Sequence, residues 1–180
     1  AFLSRDGLTA AEMGTALHAF LEHADFSALA AAKDAGGLEK AILAERQRQV
    51  DRQLVAPEIA EKLDVSRIRR FVEGEAFAKI CAADEVLREL AFITALPADA
   101  VLAAQGTEGV RAEGEQVLVQ GIADLVLVYP DHLELLDYKT DRRKTEADFL
   151  RAYRAQLNLY ALAIDKRFAP KKVTYKGICS

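Results

Sequence analysis

A chain of 180 residues that is 51% apolar and 29% charged, with a net charge of −4, has the make-up of one ordinary globular domain with a real core, not of a disordered or fibrous segment. No stretch approaches the roughly 18 uninterrupted apolar residues of a membrane span, and the opening AFLSRDGLTAAEMG lacks the build of a signal peptide, so a soluble intracellular protein is expected. Cys81 and Cys179 stand far apart with no His or Cys at ligand spacing, which argues against a zinc site or an iron–sulfur cluster. The chain starts without Met and stops at YKGICS, as a piece of a longer protein would.

In chain order, TAAEMGTALHAFLEH, Thr9 to His23, carries Met13, Ala16, Leu17, Phe20 and Leu21 at helical spacing and opens with Thr9 and Glu12 in the form of a capping box. GGLEKAILAERQRQVDRQL predicts a second helix after Gly36 and Gly37. SRIRRFVEGEAFAKICAA predicts a third, capped by Ser66, with Pro57 between the two. The pattern then changes to strands at Arg88–Leu96, Gln116–Tyr129 and His132–Lys139, with a looser link near Gly106 to Gly114. A helix over Glu146–Lys166 and a short strand, KVTYKGIC, close the chain. Helix, three strands, helix, strand is an α/β plan with a mixed sheet.

Charge is unevenly placed. From Lys139 onward there are eleven Lys or Arg and four Asp or Glu, a net of +7, whereas the preceding residues carry 13 against 24, a net of −11. A basic end after an acidic body hints at a polyanionic partner, although solvated helix faces carry such runs too.

Between the second and third strands, VYPDHL reads as a tight turn centred on Pro130 and Asp131. Residues facing each other across a symmetric hairpin then have numbers adding to 261, which sets Asp124 opposite Asp137. The same face is expected to hold Ile122, Val126, Val128, Leu133 and Leu135, with Lys139 two positions beyond Asp137. Two acids at the end of an apolar strip repel and are costly to bury, so a divalent cation is the natural compensation. Lys139 could then orient the attacking water and balance charge on a phosphate. An ordinary ion pair between Asp137 and Lys139 at a strand end is the other reading of the residues alone.

GIADLVLV, LELLDYKTD and YRAQLNLYALAI, together with MGTALHAFLE upstream, resemble the RecB-type branch of the PD-(D/E)XK nuclease superfamily, and within it the C-terminal nuclease domains of the AddA family of helicase–nuclease subunits. The resemblance runs from about Thr9 to Tyr175. It implies one RecB-like nuclease domain over residues 1–180 with a restriction-endonuclease-like core, a mixed sheet flanked by helices. Residues 1–85 would be its mainly helical part and 86–180 the catalytic core. It further implies a metal held by His18, Asp124, Asp137 and the backbone carbonyl of Tyr138, with Lys139, Asp124 and Asp137 as the catalytic set. Gln156 and Tyr160 match the family's Q-x-x-x-Y motif. Glu89, in RELAF, stands where the family often has an acid.

The implied activity is Mg²⁺-dependent hydrolysis of DNA phosphodiesters, with Mn²⁺ able to substitute, in the resection of double-strand breaks for recombinational repair in the bacterial cytoplasm. The implied partners are single-stranded DNA, the helicase domains of a parent chain and an AddB-like subunit. No G-x-x-x-x-G-K-[ST] loop occurs, so no nucleotide cofactor is expected. Gln156 and Tyr160 lie one helical turn apart with Tyr153 preceding them, which suits stacking on DNA or, equally, an amphipathic helix using Tyr as core. Arg142, Arg143, Lys144, Arg151 and Arg154 would contact phosphates or form a solvated surface. The non-enzymatic alternative is a nuclease-fold module that binds DNA or a partner without cutting. A self-standing RecB-like nuclease of the iron–sulfur kind lacks its cysteines here.

Overall fold

The computed structural model describes residues 9–107, 112, 114–138 and 146–179. They form two compact units: residues 9–82 with Tyr138 and Cys179, and residues 83–137 with 146–178.

The first unit holds six helices: α1 Ala10–His23, α2 Phe26–Asp34, α3 Leu38–Asp51, α4 Pro57–Ala60, α5 Val65–Glu73 and α6 Glu75–Ala82. The capping box that opens α1 is present. Thr9 N–H donates to Glu12 Oε2 at 2.9 Å and Glu12 N–H to Thr9 Oγ1 at 3.2 Å. The Thr9 N–H, and after it Lys62, hold the Glu12 carboxyl down at about 2. The predicted third helix is two. Gly74 ends α5 in an extended conformation, φ −85 and ψ 167, and the cap of α5 is Asp64, whose carboxylate accepts the Arg67 N–H at 3.2 Å. Ser66 lies inside the first turn and donates to that cap instead. Three short helices lie outside the sequence expectation: α2 with its Asp25 cap, α4 begun by Pro57, and, in the second unit, α7 Ala98–Ala104; all are too short for a clear 3.6-residue pattern.

Phe20, Leu21, Leu29, Ile42, Ile68 and Phe77 are fully buried in this unit, with Phe26 and Phe71 set edge-on or tilted around Phe77. A buried carboxylate ties the helices together. Glu45 on α3 accepts from the Asp25 N–H at 3.1 Å, from Gln49 Nε2 at 3.0 Å and from Arg48 Nε at 2.6 Å. Gln49 and Arg48 in turn donate to the Phe20 and His23 carbonyls at the end of α1. These donors satisfy the charge that burial would otherwise leave exposed to a poor solvent.

The second unit is a four-stranded sheet in the order β1-β2-β3-β4, with β1 Glu85–Pro97, β2 Gln116–Val128, β3 Leu133–Tyr138 and β4 Val173–Cys179, joined through α7 Ala98–Ala104 and α8 Glu146–Arg167. β1 pairs antiparallel with β2, and β2 with β3. Leu133 N–H donates to the Lys172 carbonyl at 2.8 Å, and a Cβ on Gly177 would sit 3.0 Å from Leu136. Residue numbers therefore rise together along β3 and β4, so the pair is parallel and the sheet mixed, with α8 as its crossover. The hairpin pairs Leu125 with Leu136 and Val128 with Leu133, the register expected from the turn.

One side of the sheet packs on α8 through Phe92, Ala123, Val126, Val128, Leu133, Leu135, Leu157, Ala161 and Ile164. The expected strip is corrected at one position. Ile122 is 52% exposed, and its neighbour Ala123, 1% exposed, takes the place in the core. At the other end of α8, Lys166 and Arg167 donate to the Ala95 and Ala91 carbonyls of the edge strand β1, which blunts that edge.

Replacing Glu45 by Ala strips the acceptor from three donors, and a loss of about 2–4 kcal/mol in urea unfolding is expected. Burial would raise the Glu45 carboxyl, but the hydrogen bonds from Arg48, Gln49 and the Asp25 N–H outweigh it and hold the group below the usual carboxylate range. A lowered folded value makes this contribution complete above the ordinary carboxylate pKa and removes it as pH falls through the folded one. Acid unfolding followed by circular dichroism should therefore depend less on pH below about 4 in Glu45→Gln than in the native chain.

Candidate metal centre

The site begins with an irregularity in the β1–β2 ladder. Arg88 pairs with Leu125 and Leu90 with Ala123, so Glu89 and Asp124 face each other, yet they are the one level at which the ladder is interrupted. Glu89 has φ 45, in the left-handed region that a strand residue with a side chain rarely occupies. On β1 the residues turned to the α8 core are Leu87, Leu90 and Phe92; on β2 they are Val119, Ala123, Val126 and Val128. Each strand thus makes one step of three where a regular strand makes steps of two. These are matched bulges, one extra residue on each strand at the same level, so that the register survives on both sides. This is why Ala123, not Ile122, joins Val126 in the core.

The extra residues are both acids. A carboxylate oxygen of Glu89 and one of Asp124 lie within 4.8 Å of each other, and both residues are half-buried. One step beyond the last β2–β3 pair, Leu125 with Leu136, stands Asp137, which is only 4% exposed. Three carboxylates from three neighbouring strands therefore follow one another across the sheet.

In the first unit, His18 on α1 presents Nε2 to the Tyr138 carbonyl oxygen at 3.3 Å. Its ring meets the Tyr138 ring edge-on at 5.5 Å between centroids, and Phe71 meets the same tyrosine at 5.7 Å. Tyr138 is 3% exposed, its ring packed between His18 and Phe71. Nε2 donates to the carbonyl in one tautomer; with the proton on Nδ1 it turns a lone pair the same way, the form a metal takes.

In the second unit the carboxylates of Glu89 and Asp124 supply hard oxygen donors of the kind a divalent cation takes, which fit Mg²⁺ or Mn²⁺ rather than a thiolate-seeking ion. Cys81 is exposed, and burial pushes its thiol up, away from the thiolate that binds metal. Sequence reasoning placed Glu89 at the margin of the site; the structure sets it directly against Asp124.

The other expected residues fall as follows. Lys139, Arg142, Arg143 and Lys144 lie outside the described residues, as does the Arg151 side chain. Tyr153 and Gln156 are half-buried on α8 and Arg154 is exposed. Tyr160 packs edge-on against Phe92 at 4.9 Å and over Gly121, so its ring serves the sheet–helix contact.

With this geometry in view, the comparison with known families is direct. The chain belongs to the PD-(D/E)XK nuclease superfamily, whose model matches residues 3–179. It is 36% identical over 187 residues to an ATP-dependent helicase/nuclease subunit of Heliobacterium modesticaldum, covering 99% of this chain and 12% of that protein. The ATP-dependent helicase/nuclease subunit of the same kind from Moorella thermoacetica is 38% identical over 170 residues (93% of this chain, 11% of that protein), and that from Geobacillus thermodenitrificans 35% over 174 residues (92% and 13%). The chain thus spans about an eighth of the length of these relatives. No helix among the described residues is long and apolar enough to cross a membrane.

Gly121, just ahead of the bulge, has no room for a side chain. A Cβ there would sit 2.8 Å from Tyr160 Oη and 2.9 Å from Phe92 Cζ, both ends of rings already packed on each other. Gly121→Ala is expected to cost about 1–3 kcal/mol in denaturant unfolding, and the companion change Phe92→Leu should recover part of it if that contact is the cause.

Proposed function

We propose that this chain is the nuclease domain of an AddA-like helicase–nuclease, a Mg²⁺-dependent deoxyribonuclease that hydrolyses phosphodiester bonds of single-stranded DNA during the resection of double-strand breaks for recombinational repair. The observation that carries the reading is the Glu89–Asp124 carboxylate pair, set at matched bulges in a chain of the PD-(D/E)XK superfamily. On the likeness to RecB-type nucleases, cation ligands would come from His18, Asp124, Asp137 and the Tyr138 carbonyl, and the pairing of Glu89 with Asp124 adds Glu89. A bound divalent cation supplies Lewis acidity toward the phosphodiester and lowers the pKa of a water molecule.

The residues do the rest. Asp124 and Asp137 fix the side of the sheet on which the scissile phosphate sits. Tyr138, locked by Phe71 and His18, keeps its carbonyl from turning away. Lys139, two residues after Asp137, orients the attacking water and balances the charge that grows on the phosphate oxygens. Arg142, Arg143 and Arg154 bind flanking phosphates, with Tyr153 and Gln156 alongside, so affinity falls steeply with salt. In the proposed parent, the helicase domains and an AddB-like subunit deliver the strand.

End-labelled single-stranded DNA incubated with the chain at low salt tests this. Cleavage is expected with Mg²⁺ or Mn²⁺, is abolished by EDTA, and drops by about 10²-fold or more in Lys139→Ala and Asp124→Asn, the scale seen when one stabilising group of an active site is removed. Absence of cutting, together with calorimetry showing no Mn²⁺ binding that depends on Asp124, would sink the catalytic reading and leave a module that binds DNA or a partner.

A further inference from the structure

We infer that the matched bulge is a strained positioning device: the fold holds Glu89 in a left-handed conformation, against its intrinsic preference, to set its carboxylate beside that of Asp124. The inference rests on the metal-site reading given above.

Three observations support it. First, Glu89 and Asp124 are dispensable to the pairing. Omit both, and β1 alternates without a break from Leu87 through Leu90 to Phe92, while β2 alternates from Val119 through Ala123 to Val126 and Val128. The register on either side is the same with them present, so strand pairing does not call for the interruption. Second, the conformation is the wrong one for the residue. At φ 45 the Cβ crowds the neighbouring carbonyl, a penalty that glycine alone escapes and that Asn and Asp bear best. A glutamate here is a poor choice for stability. Third, what the interruption achieves is local and chemical: it takes two acids out of the in-and-out alternation and brings their oxygens within 4.8 Å. Outliers of this kind persist where the surrounding structure over-determines them, and they concentrate at functional sites.

The sign of one comparison separates this from a passive irregularity. At a regular strand position glycine is less stable than alanine; at a strained left-handed position the order reverses. Thermal unfolding of the 180-residue chain in EDTA is therefore expected to place the midpoint of Glu89→Gly about 2–4 °C above that of Glu89→Ala, for a chain of this size. Both variants lack the carboxylate, so repulsion cancels between them. In Mn²⁺ titration calorimetry, Glu89→Gln and Glu89→Gly should bind more than about tenfold more weakly than the native chain, a loss that even an outer-shell partner of a metal site commonly produces.

Glu89→Gly unfolding below Glu89→Ala would show the bend to be unstrained and overturn the inference. So would native-like Mn²⁺ affinity in Glu89→Gln alongside a loss in Asp124→Asn, and that result would leave the metal-site reading standing. A native chain that binds no Mn²⁺ would overturn the nuclease reading and the positioning role with it, whatever the order of the midpoints.

Discussion

Carboxylates on adjacent strands of one sheet repel each other, and the rest of the second unit is arranged around that repulsion. Glu89, Asp124 and Asp137 occupy successive strands, the first two at a gap inside the β1–β2 ladder and Asp137 one step past the last β2–β3 pair, where cross-strand opposition of like charge is unfavourable and burial raises the cost further. Hydrophobic packing on the remaining length of the strands outweighs it. Leu125, Val126, Leu127, Leu133 and Leu135 are at most 1% exposed, and they lie on the same two strands as Asp124 and Asp137, within four residues of them. A site that destabilises its own scaffold needs such neighbours, because a bulge can be kept only if pairing resumes firmly on both sides.

Support comes from both ends of the hairpin. At the turn, Tyr129 and His132 stack at 4.5 Å with their planes 7° apart, and the His132 ring is tied to Asp131 at 2.7 Å. That contact is the main reason the Asp131 carboxyl sits below its usual range. Lys171 donates to the Tyr129 carbonyl at 2.6 Å and so links the turn to the approach of β4. Beyond the bulge, Gly121 lets α8 come down onto β2 until Tyr160 and Phe92 fill the gap between helix and sheet. The helix is thereby fixed to β2 three residues before Asp124, through a glycine.

Much of this was legible from residue order. The turn VYPDHL is short and symmetric, so its centre determined the register of β2 and β3, and with it the step from Asp124 to Asp137. Thr9 and Glu12 announced α1, and Leu157, Ala161 and Ile164 announced the buried stripe of α8. Other features left no such mark. Glutamate is not a residue that signals a positive φ, and neither Gly nor Asn stands near Glu89 on β1 to suggest a bulge, so plain alternation puts Ile122 on the core face where the structure has Ala123. Gly74 was read through because the apolar spacing of Ile68, Phe71, Phe77 and Ile80 continues past it, although the extended backbone at that glycine separates α5 from α6. Long-range consequences of one backbone dihedral are not written in local periodicity.

The charge distribution follows from the same constraint. A net of −11 precedes Lys139, and the acids of the sheet belong to that part of the chain, so the groups suited to hold a cation also repel a polyanion. The +7 that begins at Lys139 opposes this directly after β3 in the sequence. On the proposed reading the two halves of the balance are coupled by the cation itself. A divalent ion cancels two of the carboxylate charges at the place where a phosphate must approach, so it lowers the electrostatic barrier to the strand as well as the barrier to hydrolysis. If the chain is the nuclease proposed, DNA affinity and metal affinity then reinforce each other, as linkage requires of two ligands whose binding is coupled, and the acidic body of the chain is what makes that coupling strong.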